Sequence, residues 1–194
     1  MTKNSTKIVN QSETKLIHYI GYKRYLHSLR VMEEAIKLAT KFNCDGEKAA
    51  IAGFLHDCGK LQDEHELLKK SYDFGIIQRD VHIDNFALLH GALGAEIARR
   101  EFQIEDIEII NAIRYHTTGR PNMSLLEKII YISDYIEPER KFPGVDAIRT
   151  LAYKDLDEAL LKAMDKTIKY IIDKGQYIHP ETLNARNYLI KENK

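Results

Sequence analysis

The stretch Ile129-Ile130-Tyr131-Ile132-Ser133-Asp134-Tyr135-Ile136 constrains the fold more than any other part of the chain. Ser124 and Glu127, just before it, have the spacing of a capping box, and Pro138 lies just beyond it. The run therefore reads as a helix over Leu125 to Ile136. A helix this apolar belongs in a core, yet it carries a carboxylate. Burying a bare charge costs far more than a small domain can spare, so the fold must pair or coordinate Asp134.

Elsewhere the chain also favours helix. It has 4 Pro and 10 Gly in 194 residues and lacks the turn clusters that punctuate an all-β fold. Apolar residues recur at three and four rather than at two. Helices are predicted at Glu13 to Ile20 and at Tyr22 to Phe42, the latter with Leu29, Met32, Ile36 and Ala39 on one face. Asp45 is the expected N-cap of a helix ending near His56-Asp57, with Gly59 as its stop. Asp63 with Glu66 opens a helix that Gly75 ends, and a polar loop follows through Asp84. An amphipathic helix then carries Leu88, Ala92, Ala95 and Ile97, and another covers Ile107 to Tyr115. Asp155 with Glu158 opens Leu156 to Lys174, and Pro180 starts a last helix. The expectation is an all-α fold of eight to ten helices, one domain over residues 13–194, behind a loose tail at 1–12.

Charge and cysteine content exclude several functions. Lys+Arg and Asp+Glu are 29 each, so there is no basic excess for a nucleic-acid partner and no acidic excess for a solvating tail. Hydrophobic residues at 44% suffice for a core. Two cysteines, Cys44 and Cys58, make neither a disulfide framework nor a four-thiolate zinc site. No signal peptide and no bilayer-spanning run is read, so a cytoplasmic protein with no membrane partner is expected.

The informative polar residues are His27, His56-Asp57, His90, His116 and Asp134, each on a predicted helix or at its end. Any one of these histidines alone reads more simply as a hydrogen-bonded or surface residue, and His18, His65, His82 and His179 are left so. The ordered set carries more weight. Neutral imidazoles and carboxylates suit iron, manganese, cobalt or zinc, whereas calcium prefers all-oxygen ligands. A carboxylate such as Asp57 has two oxygens with which to bridge two ions, and ions ~3.5–4 Å apart activate water for displacement at phosphorus.

In order and context, His27, His56-Asp57 and Asp134 resemble the HD-domain superfamily of metal-dependent phosphohydrolases, with His90 and His116 in the places of second-metal ligands. Five longer segments are similar to one branch, the YqeK-type symmetrical bis(5'-nucleosyl)-tetraphosphatases. They are Arg24-Tyr25-Leu26-His27-Ser28-Leu29-Arg30-Val31, His56-Asp57-Cys58-Gly59-Lys60, Leu89-His90-Gly91, Tyr115-His116-Thr117-Thr118-Gly119-Arg120 and Ser133-Asp134-Tyr135-Ile136-Glu137-Pro138-Glu139-Arg140. The similarity runs from about Lys15 to Asn187. It implies a helical HD fold with two divalent ions, iron foremost, cutting diadenosine tetraphosphate into two ADP by attack of a hydroxide held by the metals. His27, His56, Asp57 and Asp134 then hold one ion, and Asp57, His90 and His116 the other. Cys58-Gly59 departs from some members of the branch, in loop detail only.

Asp57 and Lys60 are the catalytic candidates. Lys60, three residues after Asp57, is placed to reach a substrate phosphate. Thr117, Thr118, Gly119 and Arg120 follow a ligand directly and offer amides, hydroxyls and a guanidinium to an anion; Arg140 is a further phosphate candidate. Arg24 and Arg30 flank His27, and only one is expected to share its face. The Leu156 to Tyr170 stripe reads as core or as the seam of a homodimer. Two readings stay open beside the tetraphosphatase: an HD hydrolase of a nucleoside mono- or diphosphate, a deoxynucleotide or a cyclic dinucleotide, and a nucleotide sensor without turnover. With zero net charge, phosphate affinity is expected to depend on metal loading.

Overall fold

The computed structural model describes residues 3–77 and 88–192, with side chains from residue 8 onward; His82 and the loop expected through Asp84 lie outside these residues. Ten α-helices make up the described part: α1 (Lys3–Ile20), α2 (Tyr22–Lys41), α3 (Gly46–Leu55), α4 (Glu64–Asp73), α5 (Leu89–Glu101), α6 (Ile107–Tyr115), α7 (Leu125–Ile136), α8 (Val145–Ala152), α9 (Leu156–Asp173) and α10 (Pro180–Glu192). The described residues contain no strand. None of their helices is long and apolar enough to cross a membrane.

Two helices form the centre. In α3, every residue from Ala49 to Leu55 is buried, and α7 buries Leu126, Glu127 and the run from Ile129 to Ser133. A helix apolar on all sides must be enclosed on all sides. Accordingly α3 packs against α1, α2, α6 and α7, and α7 against α2, α3, α6, α8 and α9. The α2–α3 contact is the most extensive, and small residues allow it. A Cβ on Gly53 would lie 2.9 Å from the Met32 Cα.

The caps read from the sequence are in place. Asp45 accepts from the Glu47 and Lys48 amides, Asp63 from those of His65 and Glu66, and Asp155 from that of Glu158. Ser124 and Glu127 complete a reciprocal capping box, satisfying amides that α7 leaves unpaired.

Four expectations need correction. The segment expected as a loose tail is helical from Lys3, where α1 starts; Val9, Ser12 and Leu16, at helical spacing, are buried. On α2 the buried face is wider than one stripe and leaves Leu29 and Ile36 half-buried, since α3 and α7 cover different sides. Gly59 does not end α3 in a left-handed turn; its lack of a side chain lets α5 approach, as a Cβ there would lie 2.2 Å from the His90 carbonyl oxygen. Helix α8 was not expected. Its N-cap is Gly144 at φ 86° with no side-chain cap, so the usual start signal is missing.

The α2–α3 contact gives a test. Gly53→Ala gains about 1 kcal/mol of helix propensity, but its methyl meets backbone that cannot rotate away, at a cost of roughly 1–3 kcal/mol. The expected net result is a lower urea midpoint with an unchanged slope. A raised midpoint would show that the helices have room to spare.

Candidate metal centre

Six side chains from five helices meet beside the α3–α7 pair. His27 comes from the middle of α2, His56 caps the C-terminus of α3 and Asp57 follows it, His90 is the second residue of α5, His116 caps the C-terminus of α6, and Asp134 lies in the last turn of α7. Three helix C-termini, each with partial negative charge, thus face one place, which favours a cation there.

His56 and His116 are fixed in the same way. The Nδ1 of His56 donates to the Gly53 carbonyl and that of His116 to the Ile113 carbonyl, each at 2.7 Å. Both rings then present Nε2 as a lone pair to the cluster. His27 Nδ1 instead lies 3.2 Å from Glu137 Oε1.

Asp57, with 1% of its side chain exposed, divides the group. Its Oδ2 lies 3.4 Å from His56 Nε2 and 3.9 Å from His27 Nε2. Its Oδ1 lies 3.5 Å from His90 Nε2 and 3.4 Å from His116 Nε2. Asp134 Oδ1 is 2.9 Å from His27 Nε2 and 3.9 Å from His56 Nε2. His90 and His116 approach each other to 3.0 Å through their Nε2 atoms.

The electrostatics match this crowding. Burial pushes the His56 imidazole below its usual range, with Asp57 pulling against it, so the ring is neutral and able to act as a ligand. Burial alone would raise the Asp57 carboxyl, but His56, His116 and Lys60 hold it well below the usual range. For Asp134 the same penalty is overcome by His27, His56 and Arg140. Asp134 is less enclosed than its apolar helix implied, 21% of its side chain being exposed toward solvent.

Cations surround the carboxylates. Arg24 Nη1 donates to Asp57 Oδ2 at 2.6 Å, Lys60 Nζ lies 3.0 Å from Asp57 Oδ1, and Arg140 Nη2 lies 2.5 Å from Asp134 Oδ1. Arg30 Nε donates to Glu137 Oε2 at 2.7 Å. Arg24 and Arg30 therefore both reach the site, against the expectation of one. They stand three positions to either side of His27, and side chains of this length reach round the helix. A cleft of about 900 Å³ opens beside them, lined in part by Tyr22, Lys23, Arg24, His27, Arg30 and Arg140.

Residues 24–139 match the HD domain family. The chain belongs to the HD-domain family. Over 88% of this HD-domain chain and 91% of the relative, it is 45% identical to the symmetrical bis(5'-nucleosyl)-tetraphosphatase of Halalkalibacterium halodurans. The enzyme of the same name from Bacillus subtilis is 42% identical over 86% of the chain and 89% of its own length. A crystal structure from Clostridium acetobutylicum, described as a predicted HD superfamily hydrolase involved in NAD metabolism, superposes with a TM-score of 0.87. It is 49% identical, over 96% of this chain and 97% of that one.

The donor set fits the metal dependence of HD-domain hydrolases. His27 Nε2, His56 Nε2 and Asp57 Oδ1 are buried and make no well-formed hydrogen bond, their near neighbours being the charged groups of Asp134, Asp57 and Lys60. His27, His56 and Asp134 each offer a ligand atom within 4.8 Å of the others, as do His56, Asp57 and His116. His90 stands beside the second group, with the Thr117 hydroxyl 3.0 Å from its Nε2.

The remaining expected substrate contacts are not all brought here. The Thr118 hydroxyl donates to the Gly119 carbonyl, and Gly119, at φ 68°, closes α6 against Met164. Arg120 forks onto the buried Glu127 and lines a separate small hollow with Asn122, Lys128 and Tyr188. Its guanidinium serves the end of α7.

Sequence reasoning passed over Glu137, which orients His27, and Arg149. From α8, Arg149 donates to the carbonyls of Ile136, Glu137 and Arg140 and so ties down the turn after Asp134. The Asp-Tyr-Ile-Glu-Pro segment held the signal for Glu137; nothing near Arg149 did.

The His-Asp-Cys-Gly turn supplies a test. Gly59→Ala forces a methyl against His90 O and Gly94 N, both backbone, so α5 must move and take His90 from Asp57. A loss of roughly 1–3 kcal/mol or more, seen as a lower melting temperature and weaker divalent-metal binding, is expected. Wild-type metal affinity in this variant would show that the α5 contact does not position the site.

Proposed function

We propose that this chain is a symmetrical bis(5'-nucleosyl)-tetraphosphatase that splits diadenosine tetraphosphate into two ADP and uses two divalent ions, iron foremost. The observation that carries the reading is the division of Asp57, whose two oxygens face separate histidine sets, Oδ2 toward His27 and His56 and Oδ1 toward His90 and His116. The tetraphosphatase relatives, similar over nearly the full length of both chains, support the substrate.

His27, His56, Asp57 and Asp134 would hold one ion and Asp57, His90 and His116 the other. Bound there, divalent ions supply an activated water and neutralise phosphate charge in an in-line displacement. The chain's own residues do the rest. Glu137 and the Gly53 and Ile113 carbonyls hold three imidazoles with Nε2 toward the cluster. Arg24, Lys60 and Arg140 neutralise Asp57 and Asp134 while no ion does. With the carboxylates serving as ligands, these cations would be free to meet the phosphates and stabilise the charge that builds up at the reacting phosphorus. The oxygen of water ends on one inner phosphate, and the bridging oxygen leaves with the second ADP and takes up a proton.

The test is anaerobically prepared protein loaded with ferrous iron and given diadenosine tetraphosphate. ADP is expected as the sole nucleotide product; ATP with AMP, or no cleavage, sinks the reading. Asp57→Ala is expected to retain no stoichiometric ion by elemental analysis. It should also lose the metal-induced stabilisation of the wild type, about 2.7 kcal/mol at a metal concentration a hundredfold above Kd. Lys60→Ala is expected to lower kcat/KM by roughly 10²–10³ while keeping its metal. Wild-type kinetics in that variant would remove Lys60 from the mechanism.

A further inference from the structure

The cleft beside the cluster extends along one face of α2, from Arg30 and His27 past Leu26 to Lys23 and Tyr22. Tyr22 stands five residues before the candidate ligand His27, a rise of about 7.5 Å along the helix. One end of this wall therefore lies beside the candidate metal ligands, and the other stands roughly one to two phosphate units away from them. Tyr22 is the aromatic residue at that far end. Its ring is 63% exposed and so open to a partner from the cleft.

The ring is also held in place. Tyr22 stacks on Tyr25, with centroids 6.1 Å apart and planes inclined by 29°. Tyr25 is buried, packs edge-on against Phe54 and donates its hydroxyl to Glu13 at 2.8 Å. The floor below is closed by Gln62, whose amide donates to the Tyr19 carbonyl at 2.9 Å and whose side chain donates to the His18 carbonyl at 3.1 Å. Gly21, at φ 77°, comes so near that a Cβ there would lie 2.8 Å from Gln62 Oε1. A braced aromatic at the end of a cation-lined cleft is the arrangement that binds a nucleobase, since every base has a π-face and stacking needs no particular hydrogen-bond pattern.

We infer that Tyr22 is the stacking platform for one adenine of the dinucleotide and thereby a specificity-determining residue for substrates with a base at that end. Phosphate contacts alone do not separate a dinucleotide from inorganic polyphosphate. A platform at this distance does. The inference rests on the tetraphosphatase reading above.

Steady-state kinetics on the metal-loaded full chain test it. Tyr22→Ala is expected to raise KM for diadenosine tetraphosphate by roughly five- to a hundredfold, with a smaller change in kcat. Tyr22→Phe is expected to stay within about twofold of wild type, and so is Tyr177→Ala, an exposed tyrosine outside the cleft. Inhibition by inorganic tripolyphosphate, which has no base, should be equal in wild type and Tyr22→Ala. An unchanged KM in Tyr22→Ala overturns the proposal. So does a Tyr22→Phe variant as weak as Tyr22→Ala, or a matching loss of tripolyphosphate inhibition. A second measurement separates this failure from failure of the substrate reading. The chain has no tryptophan, so Tyr22→Trp reports from this position alone. Quenching of its emission by ADP, and not by tripolyphosphate, supports stacking even if wild-type protein does not cleave the tetraphosphate. Absence of quenching at saturating ADP overturns stacking even if it does.

Discussion

The Asp57 carboxylate is the charge around which the fold is arranged. Left alone in a core it would cost several kcal/mol, more than a domain of this size can spare. Compensation comes from every side: Arg24 from α2, Lys60 from the turn after α3, and imidazoles from α2, α3, α5 and α6. No two neighbouring helices can supply such a shell. The short, tightly packed α3 delivers the carboxylate to the one place where four other helices converge. Gly53 and Gly59 matter for that reason, since each removes a methyl where a second backbone has to come close.

The imidazoles show how economically the shell is built. A helix leaves its last carbonyls without intrahelical partners. His56 and His116, at the ends of α3 and α6, each use their Nδ1 to satisfy one of them, and this same bond turns Nε2 toward Asp57. His27 sits mid-helix, where backbone carbonyls are already engaged, so its Nδ1 needs another acceptor. Glu137 meets that need. Glu137 is in turn fixed by Arg30 and the Glu139 amide, and the turn holding it is clamped by Arg149 from α8. A helix that gives no side chain to the cluster thus supports the orientation of one of its histidines.

What was legible in the sequence follows from the same physics. Wherever a helix begins with a side-chain cap, as at Asp45, Asp63, Ser124 and Asp155, its start was readable from local chemistry. Helix α8 begins at a left-handed glycine and is stabilised by packing on α7 and α9, which no short window contains. The first turns of α1 read as a tail because polar residues outnumber the few, among them Val9, that bury it. At the site, residue types that have few uses in a core stood out, hence the histidines and Asp134. Arginines stood out less. Their long side chains answer to whichever carboxylate the tertiary fold brings near, and Arg120 shows it: adjacent in sequence to the cluster, it is drawn instead to the buried Glu127.

Zero net charge does not describe the cleft. Lys23, Arg24, Arg30 and Arg140 line it, against Glu137 and Glu139. Yet this local excess is largely committed, Arg24 to Asp57, Arg140 to Asp134 and Arg30 to Glu137. A phosphate chain entering the metal-free site would have to compete with protein carboxylates already in contact with these guanidiniums, and each broken pair leaves a charge poorly solvated. Under the proposed function, divalent ions held by Asp57 and Asp134 would take over the neutralisation of these carboxylates. Arg24 and Arg140 would then be released to the cleft, while Arg30 stays with Glu137. Metal loading would thus contribute twice to substrate affinity, directly through the ions and indirectly through the cations they release. A globally neutral chain, without long-range attraction for a polyanion, depends on such a local arrangement.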